Sequence, residues 1–129
     1  MISVLDLNAE LAKLAHFART PTSPEAERKK GLAKLARYRD GGIFTSKFSG
    51  TGGWERHPNG DEIVYILEGA TMLRSITDDG PQEQELRAGM MVIVPQGMWH
   101  RFESPGGVTL MSVTPLPTDH PEVDVEDPR

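Results

Sequence analysis

The feature that most constrains this chain is a strand, turn, strand pattern that occurs twice between Trp54 and Ser104. The first copy starts at Trp54, turns on Pro58-Asn59-Gly60-Asp61 and returns along Glu62 to Gly69. The second starts at Gly89, turns on Pro95-Gln96-Gly97 and returns through Trp99 to Ser104. Short apolar runs bounded by Gly and Pro are strand signals, and sheets of such strands bury their apolar faces by packing on one another. Each copy carries a histidine close to its turn, His57 and His100, and Glu62 stands just past the first turn. Side chains alternate along a strand, so Glu55 and His57 point the same way, and Glu62 re-enters on the return strand. With the two strand pairs facing each other, His57, Glu62 and His100 converge on one point. Two imidazoles and a carboxylate leave open positions on a non-haem iron or similar divalent ion. Three protein ligands plus solvent are also how catalytic zinc is held.

Composition narrows the chemistry. Cysteine is absent, which excludes a disulfide framework, a thiolate metal site and a cysteine nucleophile. The expected cofactor is therefore a divalent transition metal (iron, manganese, nickel or zinc) held by nitrogen and oxygen. With 129 residues, 37% hydrophobic and 26% charged, the chain suits one domain with one modest core. A net charge of -5 gives no electrostatic footprint for nucleic acid or an anionic membrane. The longest apolar run, Met90 to Val94, has strand length. The first residues, Met1-Ile2-Ser3-Val4-Leu5-Asp6, lack the basic and apolar regions of a secretion signal, so the expected location is cytoplasmic.

In these two stretches the chain resembles the cupin family of small jelly-roll barrels. That family's first motif reads Gly, five residues, His-x-His, three or four residues, Glu, six residues, Gly. Here His57 takes the second His, Glu62 the Glu and Gly69 the closing Gly, while Glu55 occupies the first His position and Gly50 lies one residue too close to be the opening Gly. The second motif reads Gly, five residues, Pro-x-Gly, two residues, His, three residues, Asn. Gly89, Pro95, Gly97 and His100 match in register, and Ser104 stands where Asn is usual. The resemblance runs from about Gly42 to Pro115. It implies an all-β cupin double-stranded β-helix, a jelly-roll barrel, with a short N-terminal helical extension. It also implies metal ligation by His57, Glu62 and His100, and frequent homodimers.

The remaining segments complete the expectation. Leu11, Leu14, Ala15 and Ala18 have helical spacing, which predicts a helix from Asn8 to Arg19 capped by Asn8. Ser23-Pro24-Glu25 starts a second helix that reaches about Lys30. Leu32 to Arg39 fits a helix or a strand. Strands follow at Ile43–Phe48, Glu62–Leu67, Thr71–Thr77, Gln82–Leu86, Met91–Val94, Trp99–Glu103 and Val108–Thr114; with the Trp54 stretch they make eight. The chain thus divides into an extension over 1–40, a barrel over 41–115 and a tail over 116–129. Rich in proline and acid, that tail is either loose or laid across another surface.

Glu55 has two readings: a fourth ligand, giving a two-His, two-carboxylate site that cancels a divalent charge and favours manganese or iron, or a catalytic base beside the triad. Trp54, Met98 and Phe102 are the expected pocket-lining residues, Met98 and Phe102 because they share the face of His100. Arg56 and Arg101 flank proposed ligands and point away from them, as solvated or interface arginines. His16 and His120 are expected to be exposed and without a ligand role. The expected function is a metal-dependent enzyme on a small organic molecule, with dioxygenase or isomerase-like chemistry. A non-catalytic cupin that binds or senses metal or a small ligand is the alternative.

Overall fold

Two antiparallel strands of sixteen residues, β4 (Glu62–Thr77) and β7 (His100–Pro115), form the spine of the fold in a computed structural model that describes residues 1–129. Around them lie β1 (Phe17–Arg19), β2 (Leu32–Tyr38), β3 (Gly41–Thr51), β5 (Gly80–Arg87) and β6 (Met91–Val94), with two short helices, α1 (Leu7–Ala12) and α2 (Glu25–Arg28). The strand order is β1-β3-β7-β4-β5, with β2 added on β3 and β6 on β4.

Both spine strands bend and serve two layers. The first half of β4 pairs with β6 and with the second half of β7, through Glu62↔Val94, Ile63↔Val113 and Ile66↔Leu110. The second half pairs with β5 and with the first half of β7, through Leu73↔Gln84, Leu73↔Phe102 and Ser75↔His100. Between the halves the register shifts around Gly69, whose φ is +77°, opposite Gly107 at φ +92°. A side chain there has no room, since a Cβ on Gly69 would lie 2.3 Å from the Gly107 carbonyl oxygen. Sequence alone places turns at Gly69 and at Ser104–Gly107 and counts a separate strand on each side of each turn. In the structure these glycines bend a continuous strand instead, because a left-handed residue redirects the chain without removing it from its neighbours.

Alternation along β4 buries Glu62, Val64 and Ile66 on one face while Ile63 stays exposed. The core between the layers contains Phe48, Val64, Ile66, Leu73, Phe102, Val108 and Leu110. Trp54, Ile76 and Trp99 make a second, smaller cluster.

The N-terminal region departs from its expected form. Helix α1 stops at Ala12 and is capped by Asp6, whose Oδ1 accepts from the Ala9 amide at 3.1 Å, rather than by Asn8. Phe17–Arg19 is a strand parallel to Phe48–Gly50, held by burial of Phe17 with its ring 6.4 Å from that of Phe48. Helix α2 is a single turn after Pro24, and the Ser23 hydroxyl accepts from the Thr20 amide instead of capping it. Leu32–Tyr38 resolves as a strand antiparallel to β3.

The C-terminal tail carries no strand and lies along its own barrel. Arg56 and Asp119 exchange backbone hydrogen bonds of 3.1 and 2.9 Å, and the Trp54 indole donates to the Val125 carbonyl at 2.9 Å. No helix is long and apolar enough to cross a membrane.

Candidate metal centre

Four side chains meet inside the barrel. Glu62 opens β4 and His100 opens β7; Glu55 and His57 come from the segment after β3, which Glu55 ties to His100 through paired backbone bonds of 2.9 Å. His57, Glu62 and His100 are buried, and the Glu55 side chain is 24% exposed. The His57 Nε2 lies 3.2 Å from Glu62 Oε2 and 3.9 Å from Glu55 Oε1. The His100 Nε2 lies 3.1 Å from Glu62 Oε1 and 3.4 Å from Glu55 Oε1. The imidazole centroids are 5.3 Å apart, and one ligand atom from each of the four residues fits within 4.8 Å of all the others.

Surrounding groups fix these side chains from behind. His100 Nδ1 is 3.0 Å from the Met98 carbonyl, so it carries the proton and turns Nε2 inward. His57 Nδ1 is 3.0 Å from the Thr118 hydroxyl of the tail. The Thr114 hydroxyl donates to Glu62 Oε2 at 2.6 Å. Such outer partners set tautomer and orientation in metal sites.

The charges are mutually dependent. Burial favours a protonated Glu62, yet hydrogen bonds and charge from His100 and His57 win and lower its pKa to about 2. Burial alone would lower the His100 pKa, but Glu55 and Glu62 raise it to about 10. Glu55 is likewise held below the usual carboxylate range, with burial opposed chiefly by its bond to His100.

These residues fit a divalent ion. The Nε2 of His57 lies 3.2 Å from Glu62 Oε2 but in poor alignment, so this buried nitrogen makes no well-formed hydrogen bond, a cost of about 1–3 kcal/mol that a metal bond removes. Donors bound at about 2.1 Å lie about 3.0 Å apart when adjacent and about 4.2 Å when opposed, which brackets the 3.1 to 3.9 Å spacings here. Two nitrogens and two carboxylate oxygens suit a transition metal of the first row.

A cavity of about 200 Å³ adjoins the cluster, lined by Glu55, His57 and Glu62 on one side and by Phe44, Phe48, Phe102 and Leu110 among its apolar residues. Phe102 lines this cavity with its ring edge-on to His100 at 5.8 Å. Trp54 and Met98 do not line this cavity. Trp54 packs with Ile76 and Trp99, and Met98 packs against the core while its carbonyl holds His100.

Other roles were not visible beforehand. Thr114 and Thr118 orient Glu62 and His57; the alternation of Ser112 and Thr114 along β7 is the one hint of inward polar groups. Arg56 and Arg101 are tail anchors, paired with Asp119 and Asp124 and stacked on Trp99 and Trp54. His16 and His120 are exposed, and His120 Nδ1 lies 3.2 Å from the Trp54 carbonyl.

Comparison with known proteins agrees with this architecture. No curated protein matches the chain. A solved protein of Neisseria meningitidis superposes with a TM-score of 0.66 at 21% identity, covering 88% of this chain and 100% of its own. A cupin-2 domain protein of Shewanella frigidimarina gives 0.64 at 21% identity, covering 88% and 95%. Hydroquinone 1,2-dioxygenase from a Sphingomonas species, solved with 4-hydroxybenzoate bound, gives 0.55 at 18% identity, covering 65% of this chain and 64% of that one. The sequence profile of the cupin domain matches residues 42–114, more than half of the chain and the span of both motifs. The chain belongs to the cupin family.

Proposed function

We propose that this protein is a metal-dependent enzyme that acts on a small organic molecule, with dioxygenase-type chemistry as the leading reaction class. The observation that carries the proposal is the opening of a buried two-His, two-carboxylate cluster onto a cavity of about 200 Å³. His57, Glu62 and His100 would hold the ion, with Glu55 as fourth ligand. Such an ion supplies Lewis acidity and, as iron or manganese, a redox centre.

The chain's own residues supply the rest. Phe44, Phe48 and Leu110 give the cavity an apolar wall that excludes water from one side. Glu55, the most exposed of the four donors, is the one most accessible from the cavity. Thr114 and Thr118 keep Glu62 and His57 from turning away. The fold-level likeness to a hydroquinone dioxygenase makes single-ring phenols a reasonable first substrate set.

The test is oxygen uptake by protein reconstituted with iron, manganese, nickel or zinc, against phenols, diketones and sugars, with products followed by NMR. Uptake with iron or manganese is expected. Product without oxygen uptake reassigns the protein as an isomerase, and tight metal binding without any turnover reassigns it as a binding cupin. We also propose a homodimer joined at the free edge of β6, where Met91 and Ile93 are 60% exposed beside Ile63.

A further inference from the structure

Two arginines line the cavity that the metal chemistry does not use. Arg19 ends β1 and Arg28 ends α2, so both come from the N-terminal segments that precede β3. Neither takes part in any of the chain's salt bridges. The Nε of Arg28 is buried without a hydrogen-bond partner. The Arg19 guanidinium carbon lies 4.9 Å from the Phe48 ring centroid, and a Cβ on Gly52 would come within 2.9 Å of that carbon, so glycine leaves the space the group occupies. Burial depresses the Arg19 pKa; Glu55 offsets this in part and the charge of Arg28 adds to it, so the two cations are close enough to repel. Arg19 is desolvated and only partly offset by Glu55, and Arg28 keeps a buried nitrogen unpaired, both of which are costly. An anion that arrives in the cavity would satisfy both.

We infer that the cavity takes a small carboxylate, its carboxyl group held by Arg19 and Arg28 and its other end toward Glu55, His57, Glu62 and His100. The second clause rests on the metal reading above; the first does not. The planar fork of a guanidinium matches a carboxylate with two parallel hydrogen bonds. Charge favours this placement. Glu55 and Glu62 balance a divalent ion, which leaves the two guanidiniums uncompensated. In the metal-free protein the two guanidiniums remain the only fixed cations on the cavity lining. His57 and His120 complete its titratable lining. A cavity of about 150 Å³ admits benzene, so this one, at about 200 Å³, accepts one ring or a short chain, with Phe44, Phe48 and Leu110 against its body.

The test is calorimetric titration with benzoate and with benzamide, its neutral isostere, of metal-free and metal-loaded protein. Benzoate is expected to bind at least about tenfold tighter, the worth of a charge-assisted hydrogen bond. Arg28→Gln, and separately Arg19→Gln, should lower benzoate affinity about tenfold or more while benzamide binding and metal content stay unchanged. Circular dichroism confirms that each variant is folded, and Arg28→Gln serves alone should loss of the Phe48 contact unfold Arg19→Gln. Arginine-dependent benzoate binding in protein that takes up no metal supports the arginine pair and sinks only the metal reading. Equal affinity for acid and amide, no benzoate binding in either form, or an unaffected Arg28→Gln overturns the inference.

Discussion

Glu55→Gln keeps the volume of the side chain while removing its charge, and so separates a metal ligand from a nearby base. In the structure Glu55 Oε1 lies 3.4 Å from one imidazole Nε2 and 3.9 Å from the other, the spacing of donors that share an ion. The attraction lost in the variant is that between the carboxylate and the ion. Net of desolvation and side-chain ordering, a contact to a charged group contributes about 1.5–3 kcal/mol, and about 2.5 kcal/mol is expected at this buried position. At 1.4 kcal/mol per decade the variant should bind a divalent ion roughly 60-fold more weakly. Competition against a chelating indicator, with metal content measured after dialysis, reads this directly. Glu68→Gln is the control, since Glu68 is exposed on the same strand as Glu62. A dissociation constant within about threefold of the parent would refute ligation by Glu55 and return it to the role of base.

Three further outcomes are expected. Gly69→Ala should cost about 2–4 kcal/mol in urea unfolding, because its φ is +77° and a Cβ would meet the Gly107 carbonyl oxygen at 2.3 Å. Gly106→Ala, with nothing within 4 Å, should be neutral; equal midpoints for the two would remove the account of the bend. In the metal-free protein the raised pKa of His100 contributes stability below its ordinary 6.5 that is lost as pH rises through about 10. The depressed pKa of Glu62 contributes stability above 4.5 that is lost as pH falls through about 2, so urea midpoints should peak between pH 4.5 and 6.5 and decline on both sides; a flat profile sinks the buried ion pair. Light scattering at micromolar concentration should give a dimer mass that Ile93→Asp converts to a monomer mass, and a monomeric parent rules the edge contact out.

Much of the site was readable because its spacing is set by local turns. Pro58 to Asp61 and Pro95 to Gly97 fix how far His57, Glu62 and His100 stand from their turns, and no distant contact is needed to infer it. What sequence missed depends on distant partners. Leu11, Leu14, Ala15 and Ala18 keep helical spacing up to Arg19, but Phe17–Arg19 gains more by pairing with Phe48–Gly50 across thirty residues of chain. Gly69 and Gly107 read as strand ends because glycine usually is one; only their mutual opposition shows them to be bends. The tail has the composition of a loose segment, and its order comes from Trp54, Arg56 and Arg101, none of which signals a partner locally. Arg19 and Arg28 had no signal at all, since an unpaired cation is recognisable only once its surroundings are known.

The contact between Thr118 and His57 joins the part of the chain least bound by the sheet to one of the four clustered side chains. Substitutions among a few residues beyond β7 can retune how firmly that imidazole is held while every strand stays as it is. If the cluster holds an ion as proposed, descendants of this chain have a way to adjust their grip on it without risking the barrel, and divergence among them should concentrate in that strap.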